Sequence, residues 1–283
     1  MIIGDNKDKV IENIKQNVNN GIYNCKVEVD DPNISQEKKD EIIENYLNNR
    51  ETFLYKIKNR IAKVIIAIVT NMMNKDTEIR GLENVENINT GAIITSNHFN
   101  PLDSIIIQKF AKKMKKSLYI VAQETNLAMT GIIGFMMKYS NIIPISNKIS
   151  YMKKQFAETI ENTLNKNNLL LIYPEQEMWF NYKKPRPLKT GSYYYAAKNN
   201  VPVISCFVEM INTTEKENEQ FYKVKYVLHI LPAIYPEKGK TVKENANIMM
   251  KKDYEQKKQA YEKAYNKKLD YTFEKEDIAG WIC

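Results

Sequence analysis

Six short apolar runs, separated from one another by helical or polar stretches, constrain this chain more than any other feature of its sequence. They lie at Gly91–Ser96, Leu118–Val121, Asn141–Ile145, Leu169–Tyr173, Val201–Met210 and Tyr222–Leu231. Strands that alternate with helices are typical of a layered α/β fold with a largely buried sheet. The last two runs lie too close together for a helix between them, so they predict an antiparallel hairpin at one edge. The sequence therefore predicts an α/β fold with a mixed, mostly parallel sheet flanked by helices.

The regions on either side of these runs have a different composition. Residues 1–80 are charged and helical in pattern, and Ser35 is placed to cap one of the helices. Residues 237–283 are Lys-rich and again helical in pattern. We therefore expect a helical N-terminal appendage at 1–80 and a main domain at 81–283 that ends in a Lys-rich helix.

One N-terminal helix carries an apolar face among basic residues. Its apolar positions recur with helical spacing at Leu54, Ile57, Ile61, Val64, Ile65, Ile68 and Met72. Lys56, Lys58, Arg60 and Lys63 lie between them. A basic amphipathic helix can lie on an anionic membrane, and it can equally pack on the neighbouring domain. Both interpretations stay open at this point.

The composition limits the class of protein and its location. The chain has 283 residues, 43% of them hydrophobic, which is enough for a core and excludes a disordered chain. No apolar run approaches the 20 or so residues that a spanning helix needs, and the N-terminus lacks a signal-peptide core. We therefore expect neither a transmembrane helix nor a signal peptide.

The net charge of +8 favours an anionic partner, although a Lys-rich coding bias explains it equally well. An anionic membrane surface fits this charge. Nucleic acid is not expected, because no zinc-finger spacing or single-strand aromatic motif accompanies the basic residues. The cysteines, Cys25, Cys206 and Cys283, are few and far apart, which is typical of free thiols in a reducing compartment. With two separated histidines, they make a poor ligand set, so no metal is expected.

His98 and Asp103 follow the first apolar run in Asn97-His98-Phe99-Asn100-Pro101-Leu102-Asp103. Asn100 and Pro101 are typical of an N-cap and a first helical residue. The strand end and the helix start would place His98 and Asp103 on one rim, where α/β sheets bind ligands. A carboxylate that orients a histidine allows the imidazole to deprotonate a hydroxyl. The alternative is an ordinary helix start in which Asp103 only faces the helix dipole. The other histidine, His229, lies inside a strand pattern and is predicted to be structural.

A second polar corner follows the fourth run, at Tyr173-Pro174-Glu175. Four basic residues and a glycine follow it: Lys183, Lys184, Arg186, Lys189 and Gly191. They could hold a phosphate, or they could form a solvated loop. A third segment, Asn126–Tyr139, is apolar on most sides and includes Ile132, Phe135 and Met136. It fits a buried helix, the wall of an acyl-chain tunnel or a membrane contact.

The order of these motifs resembles the glycerolipid acyltransferases, the family of 1-acylglycerol-3-phosphate and lysophospholipid acyltransferases. His98 and Asp103 match its His-x-x-x-x-Asp signature, and Tyr173-Pro174-Glu175 is similar to the start of its Phe-Pro-Glu-Gly-Thr-Arg block. The other matching segments, in chain order, are Gly81-Leu82-Glu83-Asn84, Leu188-Lys189-Thr190-Gly191 and Val201-Pro202-Val203-Ile204. The resemblance covers residues 80–236.

The resemblance implies the glycerolipid acyltransferase fold, an acyltransferase domain at 81–283 and an O-acyltransferase of phospholipid biosynthesis. The acyl group would pass from acyl-CoA or acyl carrier protein to the hydroxyl of a lysophospholipid. His98 would be the general base, assisted by Asp103, with no cofactor beyond the acyl donor. The acceptor end would be formed by Glu175, Lys148, Lys183, Lys184, Arg186, Lys189 and Gly191. Ile132, Phe135 and Met136 would contact the acyl chain or the membrane. The lipid substrates also imply a peripheral protein on the cytoplasmic face of a membrane.

The chain departs from the family pattern at positions implicated in binding the acceptor's phosphate. Gln176, Glu177 and Met178 replace the family's Gly, Thr and Arg, and Asn147, followed by Lys148, stands where an arginine is common. A different acceptor therefore stays open, as does a non-catalytic lipid- or membrane-binding protein on the same fold. The oligomeric state, the acyl-chain length and the role of residues 1–80 are not predicted.

Overall fold

A seven-stranded sheet forms the centre of the molecule, which the computed structural model describes at residues 6–29 and 34–282. The strand order is β1-β7-β6-β2-β5-β3-β4. The strands are β1 (Glu78–Arg80), β2 (Ala92–Thr95), β3 (Leu118–Gln123), β4 (Ile142–Ile145), β5 (Leu169–Leu171), β6 (Val203–Lys216) and β7 (Tyr222–Ile230). All neighbouring strands run parallel except β6 and β7, which form an antiparallel hairpin. The predicted mixed, mostly parallel sheet is therefore confirmed.

The sheet has one strand that the apolar runs did not reveal. β1 pairs with β7 through Glu78 and Val227, Ile79 and Leu228, and Arg80 and His229. The sequence predicted the β6–β7 hairpin at an edge of the sheet. That position is wrong, because β1 covers the outer side of β7. β1 precedes the predicted domain boundary at residue 80, although it belongs to the sheet. The search for apolar runs did not identify β1, because its three residues are in turn charged, apolar and charged.

Both faces of the sheet are covered, which explains why the central strands are largely apolar on both sides. Ile93 and Ile94 of β2 are fully buried and point to opposite faces. On one face Ile94 shares a core with residues of α4, including Phe110. On the other, Ile93 shares a core with residues of α7, α8 and α9, such as Ile160 and Met249.

Across the described residues, nine α-helical segments surround the sheet. They are α1 (Lys7–Asn19), α2 (Gln36–Asn49), α3 (Phe53–Met73), α4 (Asp103–Lys113), α5 (Gly131–Tyr139), α6 (Ile149–Tyr151), α7 (Ala157–Asn165), α8 (Gly191–Lys198) and α9 (Val242–Tyr265). A π-helical stretch, Met152–Phe156, joins α6 to α7. Ser35 caps α2 by accepting a hydrogen bond from the Lys38 amide at 3.3 Å, as the sequence predicts. α9 lies in the Lys-rich C-terminal region.

The first helix packs against the rest of the chain. Apolar side chains of α1, among them Val10 and Ile14, form a buried cluster with Trp179, Phe180 and Phe221. The loop after α1 therefore lies close to the Tyr173–Gly191 segment, although the two are about 150 residues apart in the sequence.

α3 is oriented with most of its predicted apolar face towards solvent. Leu54, Ile57, Ile61, Val64, Ile68 and Met72 are between 39% and 74% exposed. The opposite side of the helix, which includes the buried Ala62 and Thr70, faces the protein, and α3 contacts α4 and α5. The interpretation in which this apolar face packs on the neighbouring domain is therefore wrong. No helix in the described part of the chain is both long and apolar enough to span a bilayer.

A buried ion pair fastens α9 to the centre of the sheet. Asp253 and Lys257, one turn apart, are completely buried and form an ion pair. Asp253 accepts hydrogen bonds from the hydroxyls of Thr95 on β2, Ser205 on β6 and Tyr193 on α8, and Lys257 donates to Thr95 at 2.9 Å. Thr95 is the last residue of β2, so the network holds the strand end that leads to His98.

We expect Lys257→Met to lower the free energy of unfolding by about 3–5 kcal/mol, because it leaves the Asp253 carboxylate buried without its cation. The double variant Asp253→Asn, Lys257→Met should recover much of that loss, since neither charge is then buried. Urea denaturation of the unaltered protein, of the single variants Asp253→Asn and Lys257→Met and of the double variant measures both effects. Additive losses in the double variant would contradict the assigned pairing.

Candidate active site

The loops that follow β2 and β5 form a polar corner at one edge of the sheet. β2 and β5 are parallel neighbours, with Ile94 opposite Leu171, so the residues after both strands leave the sheet at the same end. His98 follows β2 and Tyr173 follows β5. The strand order thus brings together two motifs that are 75 residues apart, at the place where α/β sheets hold their ligands.

His98 and Asp103 contact each other at this corner. The imidazole Nδ1 lies 2.8 Å from Asp103 Oδ2, and the same oxygen accepts hydrogen bonds from the Phe99 and Asn100 amides at 3.0 and 3.3 Å. Asp103 is buried, whereas the His98 side chain is 21% exposed. With Nδ1 bound to a carboxylate, Nε2 is the ring nitrogen that can take a proton from a substrate.

The helix start differs from its prediction by two residues. α4 begins at Asp103 instead of Pro101, and its N-cap residue is Leu102 instead of Asn100. Asn100 instead accepts a hydrogen bond from the Leu102 amide at 3.0 Å, which forms a tight turn ahead of the helix. This turn directs the amides of Phe99 and Asn100 at the Asp103 carboxylate.

The loop that carries His98 is held from both sides by amide and carbonyl groups. Asn97 forms two hydrogen bonds with the backbone of Val208 on β6, at 2.8 and 3.1 Å. The His98 carbonyl accepts from the Trp179 amide at 3.0 Å, and the Phe99 carbonyl accepts from the Asn181 amide at 2.8 Å. The imidazole therefore rests on a backbone that is fixed on each side.

Glu175 and Arg186 form a buried ion pair directly behind this loop. Arg186 Nη2 lies 2.9 Å from Glu175 Oε2, and both side chains are at most 2% exposed. Glu175 also accepts hydrogen bonds from the His98 and Arg186 amides at 3.3 and 2.9 Å. Burial lowers the pKa of Arg186 from its ordinary value, while the charge of Glu175 opposes that change.

The guanidinium of Arg186 links three segments of the chain. It donates to the carbonyl of Tyr23 at 2.9 Å, to that of His98 at 3.4 Å and to that of Glu177, and it lies over the Trp179 ring at 4.6 Å. Its donors are directed into the protein. Arg186 is therefore not open to an acceptor's phosphate.

The other predicted basic residues lie in different surroundings. Lys184 is buried, with Nζ 2.9 Å from Asp277, and Lys183 lies over the Tyr265 ring at 5.5 Å. Lys148 faces α2, with Nζ 3.4 Å from Glu44. Lys189 and Gly191 are exposed at the start of α8, and the Lys189 amide donates to the Pro174 carbonyl at 2.9 Å. Of the predicted phosphate-binding cations, Lys189 is the one that is both exposed and close to the corner.

The apolar segment predicted to contact an acyl chain or a membrane forms α5. Ile132 is 65% exposed, Phe135 and Met136 are partly exposed, and Gly134 is the buried residue of this helix. The interpretation as a buried helix is therefore wrong. α5 packs beside α3, where Asn59 donates to the Tyr139 carbonyl at 2.7 Å. Seven of the exposed apolar residues on these two helices are called the apolar face below: Leu54, Ile57, Ile61, Val64, Ile68, Met72 and Ile132.

A small cavity lies between α3, α4 and β7. It is lined mostly by apolar side chains, and it includes Met73 at the end of α3, Asp103 and Tyr226. Met73 is itself 38% exposed. Met73 and the carboxylate that holds His98 thus line the same cavity.

Sequence reasoning missed three contributions to the site. The Tyr173 hydroxyl donates to Asp103 Oδ1 at 2.5 Å. Asn24 and Tyr23, from the loop after α1, contact the backbone of Pro187 and the Arg186 guanidinium. The tyrosine in place of the block's phenylalanine was a visible signal, whereas nothing in the sequence marked residues 23 and 24.

We assign no function in this corner to the remaining histidine or to the cysteines. His229 is 21% exposed on β7 and lies 2.8 Å from Glu209, as expected for a half-buried strand histidine. Cys25 and Cys206 are free, and Cys283 lies outside the described residues. Within residues 6–29 and 34–282, no group of three or more His, Cys, Asp or Glu side chains could hold a metal ion.

Residues 76–209 match the protein family described as Acyltransferase. No curated protein matches the chain. Among solved structures, the crystal structure of the 1-acyl-sn-glycerophosphate (LPA) acyltransferase, PlsC, from Thermotoga maritima is similar, with a TM-score of 0.50 and 16% identity. The similarity covers 93% of this chain and 100% of that one. The resemblance to acyltransferases and the fold class, both predicted from the sequence, are confirmed.

We expect Arg186→Met to lower the free energy of unfolding by about 3–5 kcal/mol, because the Glu175 carboxylate would stay buried without its cation. Lys252→Met is the matched control, since Lys252 and Glu237 lie 2.8 Å apart but are 51% and 42% exposed. The control should cost less than about 1 kcal/mol. Guanidinium denaturation of both variants tests the difference, and equal losses would refute it.

Proposed function

Because the chain carries an acyltransferase-family domain at residues 76–209, we propose that it transfers a fatty acyl group from a thioester to the hydroxyl of a lysophospholipid. The donor is acyl-CoA or acyl carrier protein. The observation that carries the proposal is the His98–Asp103 pair, at 2.8 Å, at the carboxyl end of the parallel strands.

The reaction needs a base for one proton. His98 Nε2 takes the proton of the acceptor hydroxyl as its oxygen attacks the thioester carbonyl carbon. The new C–O bond forms, the C–S bond breaks, and the imidazolium returns the proton to the leaving thiolate. The products are an acyl ester and a free thiol, with no acyl-enzyme required. Asp103 holds Nδ1–H and stabilises the positive charge on the ring while it carries the extra proton.

The acceptor's polar end lies, in this proposal, near the loop from Pro174 to Gly191. Lys189 is exposed there and Gly191 opens α8, so these two residues are the candidates for contact with a headgroup. Glu175 and Arg186 act from behind, by fixing the loop through their buried pair. Lys148, Lys183 and Lys184 are left out of this acceptor site, because each faces partners elsewhere in the protein.

The apolar face is the proposed membrane contact of a peripheral enzyme. Both substrates carry acyl chains, so an active site beside a lipid surface can receive them directly. Lys56, Arg60 and Lys63 on α3 are exposed beside the apolar residues and would face anionic headgroups. Met73 and Asp103 line one cavity, which supports an approach of the acyl chain from this side of the molecule.

We expect His98→Ala to lower turnover by a factor of about 10²–10⁴, the usual contribution of a positioned general base. The assay combines acyl-CoA or acyl carrier protein donors with lysophospholipids that differ in headgroup, and follows ester formation and thiol release. His229→Ala is the matched control and should keep its activity, because His229 lies on β7 with Glu209. Lipid binding by either variant should be unchanged. Lipid binding without turnover in the unaltered protein would favour a non-catalytic binding protein.

We expect the double substitution Val64→Glu, Ile68→Glu to weaken binding to vesicles of anionic phospholipid by about tenfold or more, since it removes apolar contact and adds negative charge. Both side chains are more than half exposed, so the fold should survive. Ile211→Glu, on β6 and 41% exposed, is the control and should bind like the unaltered protein. Co-sedimentation measures the binding. Equal binding by all three proteins would exclude the apolar face as the contact.

A further inference from the structure

The Tyr173 side chain makes two contacts with the His98–Asp103 pair. Its ring stacks on the imidazole, with centroids 3.9 Å apart and planes 14° from parallel. Its hydroxyl donates to Asp103 Oδ1, the carboxylate oxygen that His98 does not use. One side chain therefore limits the tilt of the base and binds the far oxygen of its partner.

The tyrosine hydroxyl keeps its proton over the range in which an enzyme of this kind works. Burial, and after it the negative charge of Asp103, raises the pKa of Tyr173 well above its ordinary value of about 10. The group is thus a permanent donor to Asp103. A donor to a carboxylate withdraws negative charge from it, which weakens its hold on a proton shared with a neighbouring imidazole.

We propose that Tyr173 is a positioning residue that sets the proton affinity of the catalytic base, His98, through its hydrogen bond to Asp103 and its stacked ring. The inference rests on the proposed function, in which His98 is the general base. It goes beyond the His98–Asp103 pair because the position corresponds to the phenylalanine that begins the family's block, and phenylalanine has no hydroxyl. The hydroxyl lowers the negative charge that the Asp103 carboxylate presents to the imidazole.

The other ionisable groups around the pair do not reproduce this effect. Glu175 and Arg186, behind the His98 backbone, offset each other as a buried ion pair. On β7, burial, followed by the charge of Asp103, raises the pKa of Tyr226 to about 12, and on β6 burial raises that of Cys206 to about 12. Both groups therefore stay neutral near pH 7, and Tyr173 is the neutral side chain whose hydroxyl donates to Asp103 Oδ1.

The test is the titration of the two histidine rings by NMR in the full-length protein, with and without Tyr173→Phe. The chain has only two histidines, so His98→Ala assigns both signals. The variant keeps the ring but removes the donor, which leaves more negative charge on Asp103 facing the imidazolium. We expect the His98 midpoint to rise by about half to one pH unit, the equivalent of one hydrogen bond. The acid limb of the kcat/KM profile should move upwards by the same amount, with an unchanged plateau at higher pH.

Two controls separate this role from a general loss of packing. His229, paired with Glu209, is an internal reference and should titrate unchanged. Tyr182→Phe removes another buried tyrosine hydroxyl, one without a hydrogen-bond partner among the described residues, and should leave the His98 midpoint in place. An unchanged or lowered His98 midpoint in Tyr173→Phe overturns the proposal. A raised midpoint in a protein that turns over no lysophospholipid would keep the positioning role and reject the proposed function, because the titration needs no substrate.

Discussion

The buried pair of Glu175 and Arg186 is the interaction on which the polar corner depends. A charge without a partner at this depth would cost several kcal/mol, so the two side chains must meet whenever the chain is folded. Through its guanidinium the pair reaches the backbone of Tyr23, His98 and Glu177. Three segments that are distant in sequence are thereby fixed relative to one another, and the loop that carries His98 is one of them.

This use of Arg186 has a consequence for substrate recognition. Arg186, the residue of this segment best suited to bind a phosphate, donates its hydrogen bonds to groups inside the protein. The Glu177 carboxylate lies nearby and accepts a hydrogen bond from Gln123 at 3.1 Å. The turn is altered as well, because Gln176 replaces a glycine and has a φ of 69°, a conformation that costs a side chain about 1–2 kcal/mol. In the proposed function, this strain and this charge disfavour an acceptor that is a phosphate monoester bound by arginine. An acceptor whose phosphate carries a further substituent would place less negative charge beside Glu177.

How far the sequence predicts the structure depends on the range of the interactions concerned. The six apolar runs and the His98–Asp103 contact follow from local patterns, and they were predictable because burial on both faces of a sheet and a strand-to-helix turn each leave a clear signature. β1 was missed because a three-residue edge strand leaves none. The burial of Arg186 and Lys184 could not be read from composition, since a basic stretch looks the same whether its charges face solvent or carboxylates. The solvent-facing apolar side of α3 was equally ambiguous, because amphipathic spacing identifies a face but does not say what covers it.

The two buried ion pairs and the apolar face have different roles in the proposed function. Asp253 and Lys257 hold the end of β2 through Thr95, and Glu175 and Arg186 hold the loop three residues later, so His98 is fixed from both directions. In the proposed function, an imidazole held this firmly cannot move far, so the substrates would have to come to it. α3 packs beside α5, and Met73 at the end of α3 borders the cavity beside Asp103. In the proposed function, the apolar face is the surface from which an acyl chain would approach this rigid corner.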